Sequence, residues 1–166
     1  MNGNSQGNIL EFEEIQRLTK WWIWLAVLGL LLFFVYVFLQ QIVLGVPVGD
    51  NPMSNTMLIL TLIIVLAVVT TLLALQLRTQ VNAKGVKVNF SLFGNFQFDW
   101  SENSQVNLVN IGFVGYGYRI NKEHGTIFNL GGNKALQLLL ENGKTYTLMI
   151  ENVNALQQTL KKLKKI

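Results

Sequence analysis

The sequence predicts a membrane α plus soluble β architecture: a two-helix transmembrane hairpin, then a curved antiparallel β-barrel or sandwich of about seven strands closed by a C-terminal helix. Three observations carry this. Between Trp21 and Leu77 there is no Lys or Arg, and Asp50 is the one charged residue. After Arg78 the apolar pattern changes from helical to alternating, with turn residues at regular intervals. At the end of the chain Val153, Leu156, Leu160 and Leu163 return to helical spacing.

Composition agrees. Of 166 residues, 51% are hydrophobic and 13% charged, and the mean hydropathy is +0.36; soluble domains are about a quarter charged. The absence of cysteine excludes disulfides, thiolate metal sites and Cys nucleophiles. It leaves the redox compartment open. The first apolar run is preceded by an acidic segment, is too long for a signal peptide and is followed by no small-residue cleavage site, so a retained anchor is expected.

Taken in order, residues 1–20 form an N-terminal segment. Residues 1–8 have a composition that orders poorly. Ile9, Phe12, Ile15 and Leu18 then recur at threes, and Glu13 sits four residues before Arg17. This predicts an amphipathic helix on the membrane surface or a helical extension of the first span. Residues 21–78 are the hairpin, with spans at about 21–44 and 57–77. Lys20, Trp21, Trp22 and Trp24 mark one membrane interface, and Arg78 is the snorkelling end-stop of the second span. At helical rise the spans reach about 36 Å and about 32 Å, enough for a hydrocarbon core of ~30 Å. The link between them holds Pro47, Pro52, Gly45 and Gly49, so it turns, and its shortness makes the spans antiparallel neighbours. Ala67, Thr70, Thr71 and Ala74 on one span, and Ala26 and Gly29 on the other, suit either close helix contact and self-association or ordinary lipid-facing composition. Basic residues flank both outer ends and none lies in the loop, so both termini are expected to be cytoplasmic.

Residues 79–166 are the cytoplasmic domain. Strands are expected at 79–82, 86–90, 96–100, 106–111, 113–120, 126–130, 135–141 and 145–150. Asn142-Gly143 is the strongest hairpin signal, and Asn152 caps the closing helix. Gly115-Tyr116-Gly117-Tyr118-Arg119, the run Gly131 to Leu138 (GGNKALQL) and Asn142-Gly143-Lys144 together resemble the bacterial pleckstrin-homology-like domains of small two-span membrane proteins. Tyr116-Gly117 stands where that pattern has Trp-Gly. The resemblance covers residues 78–166 and implies a PH-like fold and the bacterial inner membrane, with no known biochemical activity.

Chemistry is sparse. His124 is the lone histidine, in the turn Asn121 to Gly125, and without Cys or a second His no usual metal set forms around it. Asp99 and Glu102 read as a strand-end turn, and the glycines 112, 115, 117, 131 and 132 as bends in a curved sheet; no G-K-[ST] follows them. No catalytic, cofactor or metal residue is expected, and the basic residues lack the aromatic interleaving of a nucleic-acid groove. The first hairpin offers only Lys84 and Lys87, too few for a specific phosphoinositide site. Two surfaces remain. Phe113, Tyr116, Tyr118 and Arg119 would suit a protein partner if uncovered; the competing reading is that Phe113 and some of the tyrosines are simply core. Lys161, Lys162, Lys164 and Lys165 would meet anionic lipid, or form a solvated face complementing the helix dipole. The expected function is a non-enzymatic, membrane-anchored binding or scaffolding module. The alternative is an oligomeric transport or channel subunit, which the lack of ionisable residues in the spans disfavours.

Overall fold

The computed structural model describes residues 10–112, 114–132 and 134–166. They form two compact units, residues 19–74 and residues 10–18 with 75–166.

The helical unit holds α1 (Trp21–Phe38), continued by a π-helical turn (Leu39–Val43), and α2 (Asn55–Ala74). Both are long and apolar enough to cross a membrane. Gln41 ties the end of the first to the start of the second, with Nε2 donating to Met53 O and to Asn55 Oδ1 at 2.8 Å. Gly45 and Gly49 turn the link at positive φ. The buried positions of the pair are Val37, Leu58 and Val65. Ala26, Gly29, Ala67, Thr70, Thr71 and Ala74 are all exposed, so the small residues do not make the contact between these helices. Thr70 and Thr71 instead bond back to Ala67 O of their own helix.

The second span ends earlier than its composition suggests. Leu77 and Arg78 belong to a strand, because from Gln76 onward polar and apolar residues alternate and pair in a ladder.

The β unit begins before the helices. Residues Leu10–Arg17 form β1, not the helix their apolar threes suggest. β2 (Gln76–Asn82), β3 (Gly85–Phe90) and β4 (Gly94–Asp99) follow, and the four make one antiparallel sheet in the order β1-β2-β3-β4. A 3₁₀ turn at Trp100–Glu102 leads to β5 (Asn103–Val109), β6 (Gly117–Asn121), β7 (Gly125–Asn129), β8 (Lys134–Leu140) and β9 (Thr145–Ile150). These form a second sheet, β5-β8-β9-β7-β6, antiparallel except for β7 against β9. There are thus nine strands among the described residues, in two sheets that do not close into a barrel. The segment 114–116, expected as strand, is irregular, because Gly115 and Gly117 take positive φ.

One core joins the sheets. Phe12, Leu77, Val81, Val86, Val88, Phe90 and Phe98 of the first meet Phe128, Leu136, Leu138, Leu148 and Ile150 of the second. Alternation puts these on one face of each strand. The closing helix α3 (Val153–Lys162) adds Leu156 and Leu160 to that core. Burying each such side chain contributes about 1.5–3 kcal/mol. Asn152 caps α3, its Oδ1 accepting from Ala155 N at 3.3 Å. Lys164, at φ 54°, ends it, with Lys165 N reaching back to Leu160 O at 2.9 Å. The other face of the second sheet is covered too, where Ile127, Ala135 and Met149 pack under Ile111, Val109 and Val114.

Candidate functional site

The helical pair interrupts a β-ladder. Arg17 and Gln76 are paired neighbours across β1 and β2, and they are also where the chain leaves for α1 and returns from α2. Only Leu18, Thr19 and Lys20 lie before α1, and only Leu75 after α2. Leu18 is buried.

β1 is fastened at its core face by polar groups. Gln16 is 2% exposed; its Nε2 donates to Met149 O at 2.6 Å, and its Oε1 accepts from Leu130 N at 3.3 Å. The Glu14 carboxylate accepts main-chain N–H groups from Glu151 at 3.0 Å and Asn152 at 2.7 Å, at the N-terminus of α3 where negative charge is favoured. Glu11 pairs with Lys162 farther along. On the outer face Glu13 takes Arg78 at 3.3 Å and Gln80 at 3.0 Å, so it is not the partner of Arg17. Arg78 is therefore a strand residue in an outer-face ion pair, not a helix end-stop.

The ladder end that carries Arg17 and Gln76 also carries the β3–β4 turn. Ser91 N and Oγ both donate to Gln76 O, at 2.9 and 2.7 Å, and Gln76 N donates to Ser91 Oγ at 2.8 Å. The next two residues point outward, Leu92 55% and Phe93 47% exposed. Gly94 closes the turn at φ 105°.

The surface expected at 113–119 is divided by the structure. Phe113 lies outside the described residues. Tyr118 faces a seam between the sheets, stacked on Phe93 at 5.5 Å and on Phe96 at 6.1 Å, with its edge to Phe128. Arg119, one residue on, points to the other face. Its Nε donates to Tyr116 O at 3.2 Å, and its guanidinium lies where a Cβ on Gly115 would be. Tyr116 is half-buried. The apolar side chain that β6, an edge strand, does expose is Ile120, at 81%.

The terminal lysines sit at the opposite end of the first sheet. Lys165 Nζ lies 5.4 Å over the Trp100 ring, and Trp100 Nε1 donates to Asn82 O, at the end of β2. Lys162 is held by Glu11 near the start of β1. Among the described residues Lys161 and Lys164 make no ion pair. Six or seven strand residues, about 20 Å, separate this end from Arg17 and Gln76.

Lys20 precedes α1 and accepts at its carbonyl from Ile23 N and Trp24 N. Trp21 and Trp22 are exposed and Trp24 half-buried. Elsewhere, Asn121 Oδ1 holds the turn at Glu123 and His124, and Asp99 accepts from Gln97. Among the described residues no three His, Asp or Glu converge as metal ligands. Gly132 explains part of the Gly131-Gly132 motif: a Cβ there would lie 2.3 Å from Ile150 N. No protein-family model, curated protein or solved structure matches the chain.

Proposed function

We propose that the protein is a non-enzymatic, membrane-anchored binding module, in which a two-span hairpin tethers a PH-like β domain. The observation that carries this is the insertion of two apolar helices between paired neighbours, Arg17 and Gln76. A helix pair placed so holds the domain by two adjacent strands, and if both spans cross, the domain lies on one side with both termini. The basic residues around the outer ends favour the cytoplasmic side. The glycine and strand motifs at Gly115–Arg119, Gly131–Leu138 and Asn142–Lys144 are the grounds for a PH-like fold and a bacterial inner membrane. The helix closing one core shared by two mostly antiparallel sheets supports the same fold. Tethering raises the domain's effective concentration for other membrane proteins, so weak contacts suffice. For a protein partner the edge strand β6, with Arg119 and Ile120 uncovered, is the surface to examine.

The test uses the absence of native cysteine. Full-length chains carrying Asn51→Cys or Lys144→Cys are labelled in intact cells with an impermeant maleimide. Labelling of the loop variant alone, with Lys144→Cys labelled only after lysis, supports the tether. Release of the protein from membranes by alkaline carbonate, or labelling of both positions from outside, sinks it.

A further inference from the structure

We infer that the β3–β4 turn, through Leu92 and Phe93, is a second membrane contact that seats the domain on the lipid surface; this rests on the tether reading above. Its position follows from chain connectivity. Ser91 is bonded three times to Gln76, which lies two residues beyond the last residue of α2. If Ala74 ends a span at the interface, Ser91, bonded to Gln76, lies within about 10 Å of that level, because a residue extends at most about 3.6 Å.

Charge is compatible with the same placement, as it also is for the uncharged run from residue 103 to residue 118. No charged residue occurs between Lys87 and Asp99, so Leu92 and Phe93 enter the headgroup region without desolvating an ion. The β2–β3 turn carries Lys84, the β6–β7 turn Lys122 and Glu123, and the β8–β9 turn Glu141 and Lys144. Each of those three would resist burial. Phe93 is also supported from below, packed on Phe90 at 4.8 Å and stacked on Tyr118. Its exposed half is a rigid apolar face, which loses little conformational freedom on insertion. The terminal lysines lie at the far end of the first sheet and do not compete for this role.

The experiment places an environment-sensitive fluorophore on one introduced cysteine in the full chain, reconstituted in vesicles of mixed zwitterionic and anionic lipid. Leu92→Cys reports the turn and Lys122→Cys the β6–β7 turn, while Leu32→Cys reports the middle of the first span. Spin-labelled lipids carry the quencher near the headgroup or near the acyl end, and iodide quenches from water. A seated turn leaves the Leu92 label quenched several-fold more by the shallow lipid quencher than the Lys122 label, and shielded from iodide. If the Leu92 and Lys122 labels are equally open to iodide while the Leu32 label is quenched by deep lipid, the second contact is wrong and the tether stands. If the Leu32 label is itself open to iodide, both fall.

Discussion

Gln16 and Met149, 133 positions apart, are joined side chain to main chain: the Gln16 amide donates to the Met149 carbonyl at 2.6 Å inside the β unit. The same side chain accepts from Leu130 N, so one amide joins the first sheet to the second. Replacing Gln16 with Ala leaves a buried carbonyl and a buried N–H unpartnered, each costing roughly 1–3 kcal/mol. Gln16→Ala should therefore lower stability by about 2–6 kcal/mol, read as a lower urea midpoint by circular dichroism. A change under half that size would show that the two groups find other partners.

The register of β1 and β2 allows the ladder to be joined directly by a turn. Because Arg17 faces Gln76, Leu18 and Leu75 fall opposite one another in continued register, and a two-residue Asn-Gly turn matches that geometry. A chain with residues 19–74 replaced by Asn-Gly should be a soluble, folded β domain. Trp100 is then its one tryptophan, and its burial gives a fluorescence readout of unfolding. A chain that aggregates or stays unfolded would show that the helical unit is needed for the fold.

Thr79 is 1% exposed, and among the described residues its hydroxyl has no partner. It lies between Leu77 and Val81 on the inward face of β2. Thr79→Val keeps the shape and removes an unpaired polar group, so stability should rise by about 1 kcal/mol. A loss of stability would point to a bound water at the hydroxyl.

Gly132 runs against the backbone of β9. A Cβ would meet Ile150 N at 2.3 Å and Met149 C at 2.6 Å, atoms that do not move without breaking the ladder. Gly132→Ala should cost about 2 kcal/mol or more, whereas Gly131→Ala meets only the flexible Glu151 carboxylate and should cost less. Thermal melts of the two variants side by side make the comparison, and equal costs would contradict it.

The hairpin helices, the β8–β9 hairpin at Asn142-Gly143 and the Asn152 cap were legible because each has a local signature: uninterrupted apolar length, an αL-tolerant turn, a side-chain acceptor. β1 was not, for a physical reason. Its inward positions are Phe12, Glu14, Gln16 and Leu18, and the two polar ones are turned in to bond main-chain groups of the second sheet and of α3. Meanwhile Ile15 faces out, 44% exposed. Those exchanges erase the alternation of two and leave apolar threes that mimic a helix. Arg78 misled for a related reason, since a cation just after an apolar run reads the same at a helix end and on a strand. The residues expected to form one surface at 113–119 do not all share a face: adjacent aromatic and basic residues on β6 are sent to opposite faces, Tyr118 inward and Arg119 outward. The Leu92–Phe93 turn shares its lack of charge with residues 103–118, and what distinguishes it, the bonding of Ser91 to Gln76, is visible only in three dimensions.

The interruption of the β1–β2 ladder has a consequence for biosynthesis. β1 leaves the ribosome before the helices, yet among the described residues its sole sheet neighbour is β2, which is made only after both apolar helices. On the tether reading, the first sheet cannot assemble until the second helix has brought the chain back to the side it started from. A chain whose return failed would leave the two strands on opposite sides of the bilayer, with Glu14 and Gln16 unmatched and an unpaired edge open to proteases.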